Sequence, residues 1–172
     1  AAFRVQSAPG GRPIVRGDAD DVQISLSHRQ GEAVAVACSA GVPGVDLERV
    51  ELRHPAFARM WFTEAEQALW AGDPMRLTAV WAIKESVLKA LGTGMRVHPA
   101  EIEVQELRRR RAKVVLFGDA ARTLADLGGQ LCVTWSLDGD RVIAAAMRSG
   151  PAEGEGALTG GAQLAVAART VA

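Results

Sequence analysis

Trp81-Ala82-Ile83-Lys84-Glu85-Ser86-Val87-Leu88-Lys89-Ala90-Leu91-Gly92 is the most strongly patterned stretch of the chain. Val80, Ile83, Val87 and Leu91 recur at spacings of three and four, the apolar stripe of an amphipathic helix. Pro74 suits a first helical turn and Gly92 suits a stop, so the pattern predicts a helix from about residue 74 to 92. Glu85 and Lys89, four apart, are neighbours on its surface. Lys84 breaks the pattern. At about 100° per residue it falls inside the apolar arc, between Val80 and Leu88. An ammonium there must snorkel or meet an anionic partner.

Upstream, Thr63-Glu64-Ala65-Glu66 is a capping box, with Thr63 as N-cap and Glu66 at the third helical position. Residues 55–62 read as a short helix. Residues 45–50 alternate as a strand, with Asp46 and Glu48 on one face and Val45 and Leu47 on the other. Residues 22–28 alternate likewise, 33–38 form a small and β-branched run, and 3–5 are strand-like ahead of a turn at Gly10-Gly11-Arg12-Pro13. Downstream, strands are expected over 102–107 and 113–117, then a short helix over 119–127. Two more strands, 131–137 and 141–147, flank the hairpin signal Asp138-Gly139-Asp140. Strands, then helices, then strands predict an α+β fold with an antiparallel sheet packed against helices. Residues 1–149 form one domain in this reading. Residues 150–172 form a low-complexity tail with a weak helix over 162–170.

Composition bounds the function. Of 172 residues, 48% are hydrophobic and 23% charged, which fits a globular protein with a real core. The formal net charge is zero, so nothing global recruits nucleic acid or an anionic membrane. No apolar run reaches membrane-spanning length and no signal peptide is visible. Cys38 and Cys132 lie in apolar surroundings with no CxxC or Cys/His cluster, and read as two buried free thiols in a reducing cytoplasm. The chain starts without methionine, as a processed chain or a piece of a longer one does.

Three segments carry chemistry. In Gly44-Val45-Asp46-Leu47-Glu48 the two carboxylates share a strand face and suit one hard cation, with substrate phosphates completing its shell. In the helix, Glu85 and Lys89 form an adjacent acid and base. Ser27-His28 ends a strand, where the imidazole can donate hydrogen bonds to a phosphate. Taken alone, each also reads as ordinary surface.

Together and in this order, Ser27-His28, Gly44 to Glu48, Trp61-Phe62-Thr63-Glu64-Ala65-Glu66 and Trp81 to Gly92 resemble the 4'-phosphopantetheinyl transferase superfamily. The resemblance covers about residues 12–147. It implies that fold, as one complete half from about residue 42 to 147 plus a partial N-terminal segment. It also implies transfer of the phosphopantetheine arm of coenzyme A onto a serine of an acyl or peptidyl carrier protein. Asp46, Glu48 and Glu85 would gather Mg2+. Glu85, or a water it holds, would be the base. Lys89 would contact the phosphates, and Lys84 would be a second phosphate or carboxylate partner. Ser27 and His28 would touch the nucleotide phosphates. Gly11-Arg12-Pro13 resembles a further element of the family, which makes Arg12 a candidate for the 3'-phosphate. Glu66 is explained equally well by its cap.

The resemblance has departures. The upstream half of the large, surfactin-type members is missing here. Arg29 stands where those members usually carry a small hydroxyl residue. The small, holo-[acyl carrier protein] synthase type has one half and assembles as a trimer. One half leaves an open sheet face and edge, so a homo-oligomer, favoured as a trimer, is expected. Arg49, Arg53, His54 and Arg59, among Phe57, Met60 and Trp61, form a mixed basic and apolar surface for an acidic carrier. Arg108 to Arg111 read as a solvated turn. The alternatives are a non-catalytic carrier-binding module and another Mg-dependent nucleotide phosphotransferase.

Overall fold

The chain leads with two hairpins, β1 (Phe3–Ser7) with β2 (Pro13–Gly17) and β3 (Gln23–Arg29) with β4 (Glu32–Cys38). Strand β5 (Val42–Arg49) follows, then helices α1 (Pro55–Trp61), α2 (Glu64–Trp70) and α3 (Pro74–Leu91). The second part holds β6 (Ile102–Arg108), β7 (Arg111–Leu116), α4 (Gly118–Leu127), β8 (Leu131–Asp138), β9 (Arg141–Arg148) and β10 (Ala165–Thr170). The structure is a computed structural model that describes residues 3–9, 11–17, 21–150 and 165–170. Every described strand pairing is antiparallel, so the α+β reading holds.

The central sheet runs β5-β9-β8. Its inner face carries Gly44, Asp46 and Glu48 from β5, with Ala144 beside Asp46 and Trp135 beside Ala144. This face packs on α3. Its outer face carries Val45, Leu47, Ile143 and Ala145, which pack against Val34 and Val36 of β4. A second sheet, β10-β4-β3, therefore covers the face that was expected to stand open and to drive trimer formation. The β5 edge is also engaged, because the Val45 N–H donates to Ser25 Oγ at 3.0 Å.

α3 obeys its punctuation. Asp73 caps it by accepting from Arg76 N, Pro74 opens it, and Gly92 closes it in the left-handed region at φ 70°. The apolar stripe is wider than the sequence suggested. Ala79, Ala82, Leu88 and Ala90 are buried along with Val80, Ile83, Val87 and Leu91. A helix apolar nearly all round is an interior helix. One half-buried line remains, Trp81, Glu85 and Lys89, spaced four apart.

Lys84 is fully buried, and it does not reach a phosphate site. Its Nζ donates to Glu66 Oε2 at 2.8 Å, to the Pro99 carbonyl at 3.0 Å and to the Ile102 carbonyl. The proposed cofactor role for Lys84 is thus replaced by a clamp joining α2, α3 and β6. Glu66 completes the clamp. Its Oε2 accepts from Thr63 N in the expected capping box, and its Oε1 accepts from Val104 N. Burial pushes the lysine down from its ordinary range while Glu66 opposes that shift.

Two further expectations change. Backbone 165–170 is a strand paired with β4 instead of a helix, and the rest of the 162–170 prediction lies outside the described residues. Alternating Ala and Val tolerate either state, so the open β4 edge decides. Cys38 is buried but Cys132 is exposed; both are free thiols.

Breaking the clamp from one side leaves a buried charge without its partner. Lys84→Met should cost about 3–5 kcal/mol of stability. Denaturant unfolding checks this, and a loss below about 1 kcal/mol would remove the clamp from the account.

Candidate functional site

Gly44 builds the site. A Cβ at this position would lie 1.9 Å from the Ser86 carbonyl oxygen and 2.6 Å from Ala90 N, so only glycine admits the α3 backbone here. Alternation along β5 then turns Asp46 and Glu48 to the same side, towards the helix line Trp81, Glu85 and Lys89. The geometry follows that arrangement. Lys89 Nζ donates to Asp46 Oδ1 and to the Val45 carbonyl, each at 2.8 Å. Trp81 Nε1 donates to Glu48 Oε1 at 3.2 Å.

Strand β3 closes one side. Ser27 Oγ donates to Asp46 Oδ1 at 2.8 Å. Arg29, two residues on, reaches Glu48 Oε2 at 3.7 Å and Glu51 Oε1 at 2.8 Å. His28 lies between them and is exposed, so strand alternation places it on the opposite face. Ser27 and His28 therefore do not converge on one group. Arg12 donates to Gln23 Oε1 at 3.0 Å, and its Nη1 lies 3.9 Å from the Cβ position of Gly92. That places it at the C-terminal end of α3, beyond Lys89.

The three carboxylates repel one another. Glu85 is pushed above its ordinary range, first by burial, then by Asp46 and by Glu48, with Lys89 opposing. Glu48 is also raised, by burial first and by Asp46 next, against Arg53, Arg29 and the Trp81 hydrogen bond. Their oxygens are not equally available. Asp46 Oδ1 is taken by Ser27 and Lys89, while Asp46 Oδ2 is buried with no hydrogen-bond partner. Glu48 Oε2 accepts from Arg53 Nη2 at 3.1 Å. Among the described residues, no three His, Cys, Asp or Glu side chains are already gathered as a cation cage. An orphaned buried carboxylate oxygen facing mutually repelling carboxylates nevertheless fits a hard cation with an all-oxygen shell.

The sequence reading missed Trp81, Arg53 and the role of Gly44. The four-residue spacing Trp81, Glu85, Lys89 was a usable signal for the first. The loop after Glu48 is held by aromatic packing. Phe57 meets Trp81 edge-on at 4.9 Å, and Arg53 lies 4.4 Å over the Phe57 ring. Of the expected basic docking residues, Arg49 is engaged with Asp140 and Glu32, and Arg53 with Glu48 and Glu51. Arg59, His54 and Met60 are exposed. Arg108 to Arg111 form the exposed β6–β7 turn, with Arg110 at φ 65°. A cavity of about 710 Å3 opens between β7, α4 and β8, and no candidate site residue lines it.

A family model described as the 4'-phosphopantetheinyl transferase superfamily matches residues 43–146. A holo-[acyl-carrier-protein] synthase of Herpetosiphon aurantiacus is 35% identical over 119 residues, covering 60% of this chain and 94% of that protein. One from Syntrophotalea carbinolica is 36% identical over 120 residues, covering 62% and 94%. Among solved structures, an ACPS–CoA complex from Chronobacterium ammoniagenes superposes with a TM-score of 0.54 at 26% identity. It covers 64% of this chain and 97% of that one.

Glu85 gives a pH test of the geometry. Its pKa is raised in the folded state, so the folded chain binds the extra proton and stability falls as pH rises between the unfolded and folded values. Glu85→Gln should therefore be more stable than wild type above that window in chelator, with the gap closing as pH falls. Unfolding measured across pH checks this; a gap that widens in acid reverses the assignment.

Proposed function

We propose that this chain, which belongs to the 4'-phosphopantetheinyl transferase superfamily, moves the phosphopantetheine arm of coenzyme A onto a carrier-protein serine. One observation carries the reading: Asp46 of β5, with a buried unpartnered oxygen, faces Glu85 and Lys89 of α3.

The carrier serine Oγ attacks the phosphorus that bears the pantetheine. The bond from that phosphorus to the bridging oxygen breaks, and 3',5'-ADP leaves with the electron pair. The serine proton goes to Glu85. Burial and neighbouring carboxylates raise the proton affinity of Glu85 above that of an ordinary glutamate, which strengthens it as a base. An ammonium has three donors, and Lys89 spends two on Val45 and Asp46. The third serves the leaving phosphate. Ser27 holds Asp46 in place, and Arg12 is available to the 3'-phosphate. Mg2+ held by Asp46 and Glu85, joined by Glu48, would neutralise charge on the pyrophosphate. His28, on the outer face of β3, would need a different approach of the nucleotide to contribute.

The carrier approaches over Arg59, His54 and Met60, beside the site, where a basic and apolar surface meets an acidic partner. No helix among the described residues is long and apolar enough to cross a membrane. Two free thiols accord with a reducing cytoplasm. Trimer formation is the remaining expectation about assembly. Because β4 already covers the outer sheet face, light scattering at micromolar concentration decides it, and a monomeric mass removes it.

The decisive assay is the intact mass of an apo-carrier protein after incubation with this chain, coenzyme A and Mg2+. A gain of one phosphopantetheine, blocked by chelator, is expected. No gain across fatty acid, polyketide and peptide carriers would overturn the reading. Asp46→Ala should lower turnover by at least about 10²-fold, the scale of losing a transition-state electrostatic contact. Near-wild-type turnover in that variant would remove Asp46 from the site.

A further inference from the structure

Glu48 is committed before any cation arrives. Its Oε1 accepts the Trp81 N–H, and its Oε2 faces two guanidinium groups, Arg53 at 3.1 Å and Arg29 at 3.7 Å. Both arginines also reach Glu51 Oε1, Arg29 at 2.8 Å and Arg53 at 3.5 Å. The result is a closed ring of alternating charge, Glu48–Arg53–Glu51–Arg29. Arg53 is the more enclosed of the two: its side chain is 12% exposed and lies over Phe57, while Arg29 extends from the end of β3 and is 34% exposed. The Nε atoms of both arginines are buried and lack hydrogen-bond partners, so among the described residues the only hydrogen bonds from either guanidinium run from Nη2 to these carboxylates. Asp46 and Glu85, in contrast, face the site with oxygen capacity to spare.

We propose that Arg53, backed by Arg29, is a latch that withholds Glu48 from the cation, so that cation loading requires Glu48 to exchange arginine for metal. The inference rests on the magnesium reading above. It makes Arg53 and Arg29 positioning residues that act through Glu48, with Glu51 as the carboxylate that keeps them when Glu48 lets go. A latch closed about 80–90% of the time raises the apparent cation dissociation constant about five- to tenfold over that of the open form. The same positive charges could instead repel the cation through space, without any contact. The two accounts differ in one respect. A latch acts only while residue 48 is a carboxylate, whereas a field acts regardless.

The test is Mn2+ binding to the purified chain, read by electron paramagnetic resonance of the free ion, for wild type, Arg53→Ala, Arg29→Ala, Glu48→Gln and the pairings of each arginine variant with Glu48→Gln. Arg53→Ala should tighten Mn2+ about five- to tenfold and Arg29→Ala about two- to threefold, the smaller effect following its longer contact. In the Glu48→Gln background both gains should vanish, which is the coupling signature of a shared contact. Unchanged affinity in both arginine variants overturns the latch. An equal gain with and without Glu48 replaces it with a field effect and also overturns it. Should Arg53→Ala fail to fold, Arg29→Ala carries the same cycle. If wild type and every variant fail to bind Mn2+ with coenzyme A present, the cation reading itself falls and the latch with it. Wild-type binding that no arginine variant alters rejects the latch alone.

Discussion

The approach of a helix backbone onto Gly44 sets the rest of the molecule. With no side chain there, α3 lies against β5 at a distance that a single Cβ would forbid. The consequence is metric. From Gly44 to Glu48 a strand advances about 13 Å at 3.3 Å per residue. From Trp81 to Lys89 a helix advances about 12 Å at 1.5 Å per residue. The two lengths are similar, and Gly44 lies against Ser86 and Ala90 while Glu48 lies towards Trp81, so the strand face and the helix line run past each other in opposite directions. Lys89 meets Asp46 at one end and Trp81 meets Glu48 at the other, leaving Glu85 between them. The site is therefore a product of two regular elements in contact, and needs no special loop to gather its acidic groups.

The rotation of α3 about its own axis must also be fixed, and the buried Lys84–Glu66 pair fixes it. Lys84 and Glu85 are adjacent, about 100° apart on the helix. One side chain points into the fold while the other faces the site. All three Nζ donors of Lys84 are used, on Glu66 and two carbonyls. Glu66 in turn accepts from Thr63 N and Val104 N. A buried network satisfied at every atom is rigid, and a partly satisfied one would be costly. Precision in the site thus depends on a clamp on the other side of the same helix.

Local signals in the sequence were reliable, and long-range ones less so. The capping box at Thr63, the stop at Gly92 and the Asp138-Gly139-Asp140 turn depend on a few neighbouring residues, and each is found where the pattern put it. The anomaly at Lys84 was visible as a charge in an apolar arc, and an anionic partner was anticipated for it. That the partner is Glu66 depends on how α2 packs against α3, which no spacing encodes. Ser27-His28 shows a second limit. A motif presents two adjacent residues as a unit, but a strand sends them to opposite faces. Arg53 was read as a docking residue although its partners Glu48 and Glu51 lie within five residues of it, and Arg29 was read only as a departure from the family, because β3 must lie beside β5 before it meets them. The 165–170 segment failed for a different reason: its small residues have little preference, and an unpaired β4 edge supplied the decision.

Charge balance links these features to chemistry. In the cluster around Asp46 and Glu48 stand four carboxylates, Asp46, Glu48, Glu51 and Glu85, and three cations, Arg29, Arg53 and Lys89, with Arg12 farther out at the end of α3. Four negative against three positive charges leave the cluster with a net charge of minus one when all are ionised. Glu48 and Glu85 are raised first by burial and next by Asp46, so a further anion beside them would be disfavoured without an added cation. Lys89 cannot offset this alone, because Asp46 already holds it. A divalent cation would reverse the sign of the site, and the incoming phosphate would then stabilise the cation in turn. Binding of the two would therefore be linked and reciprocal. If the proposed cation is bound, the acidic groups would do more than ligate: they would also tie the entry of a phosphate to the presence of the cation.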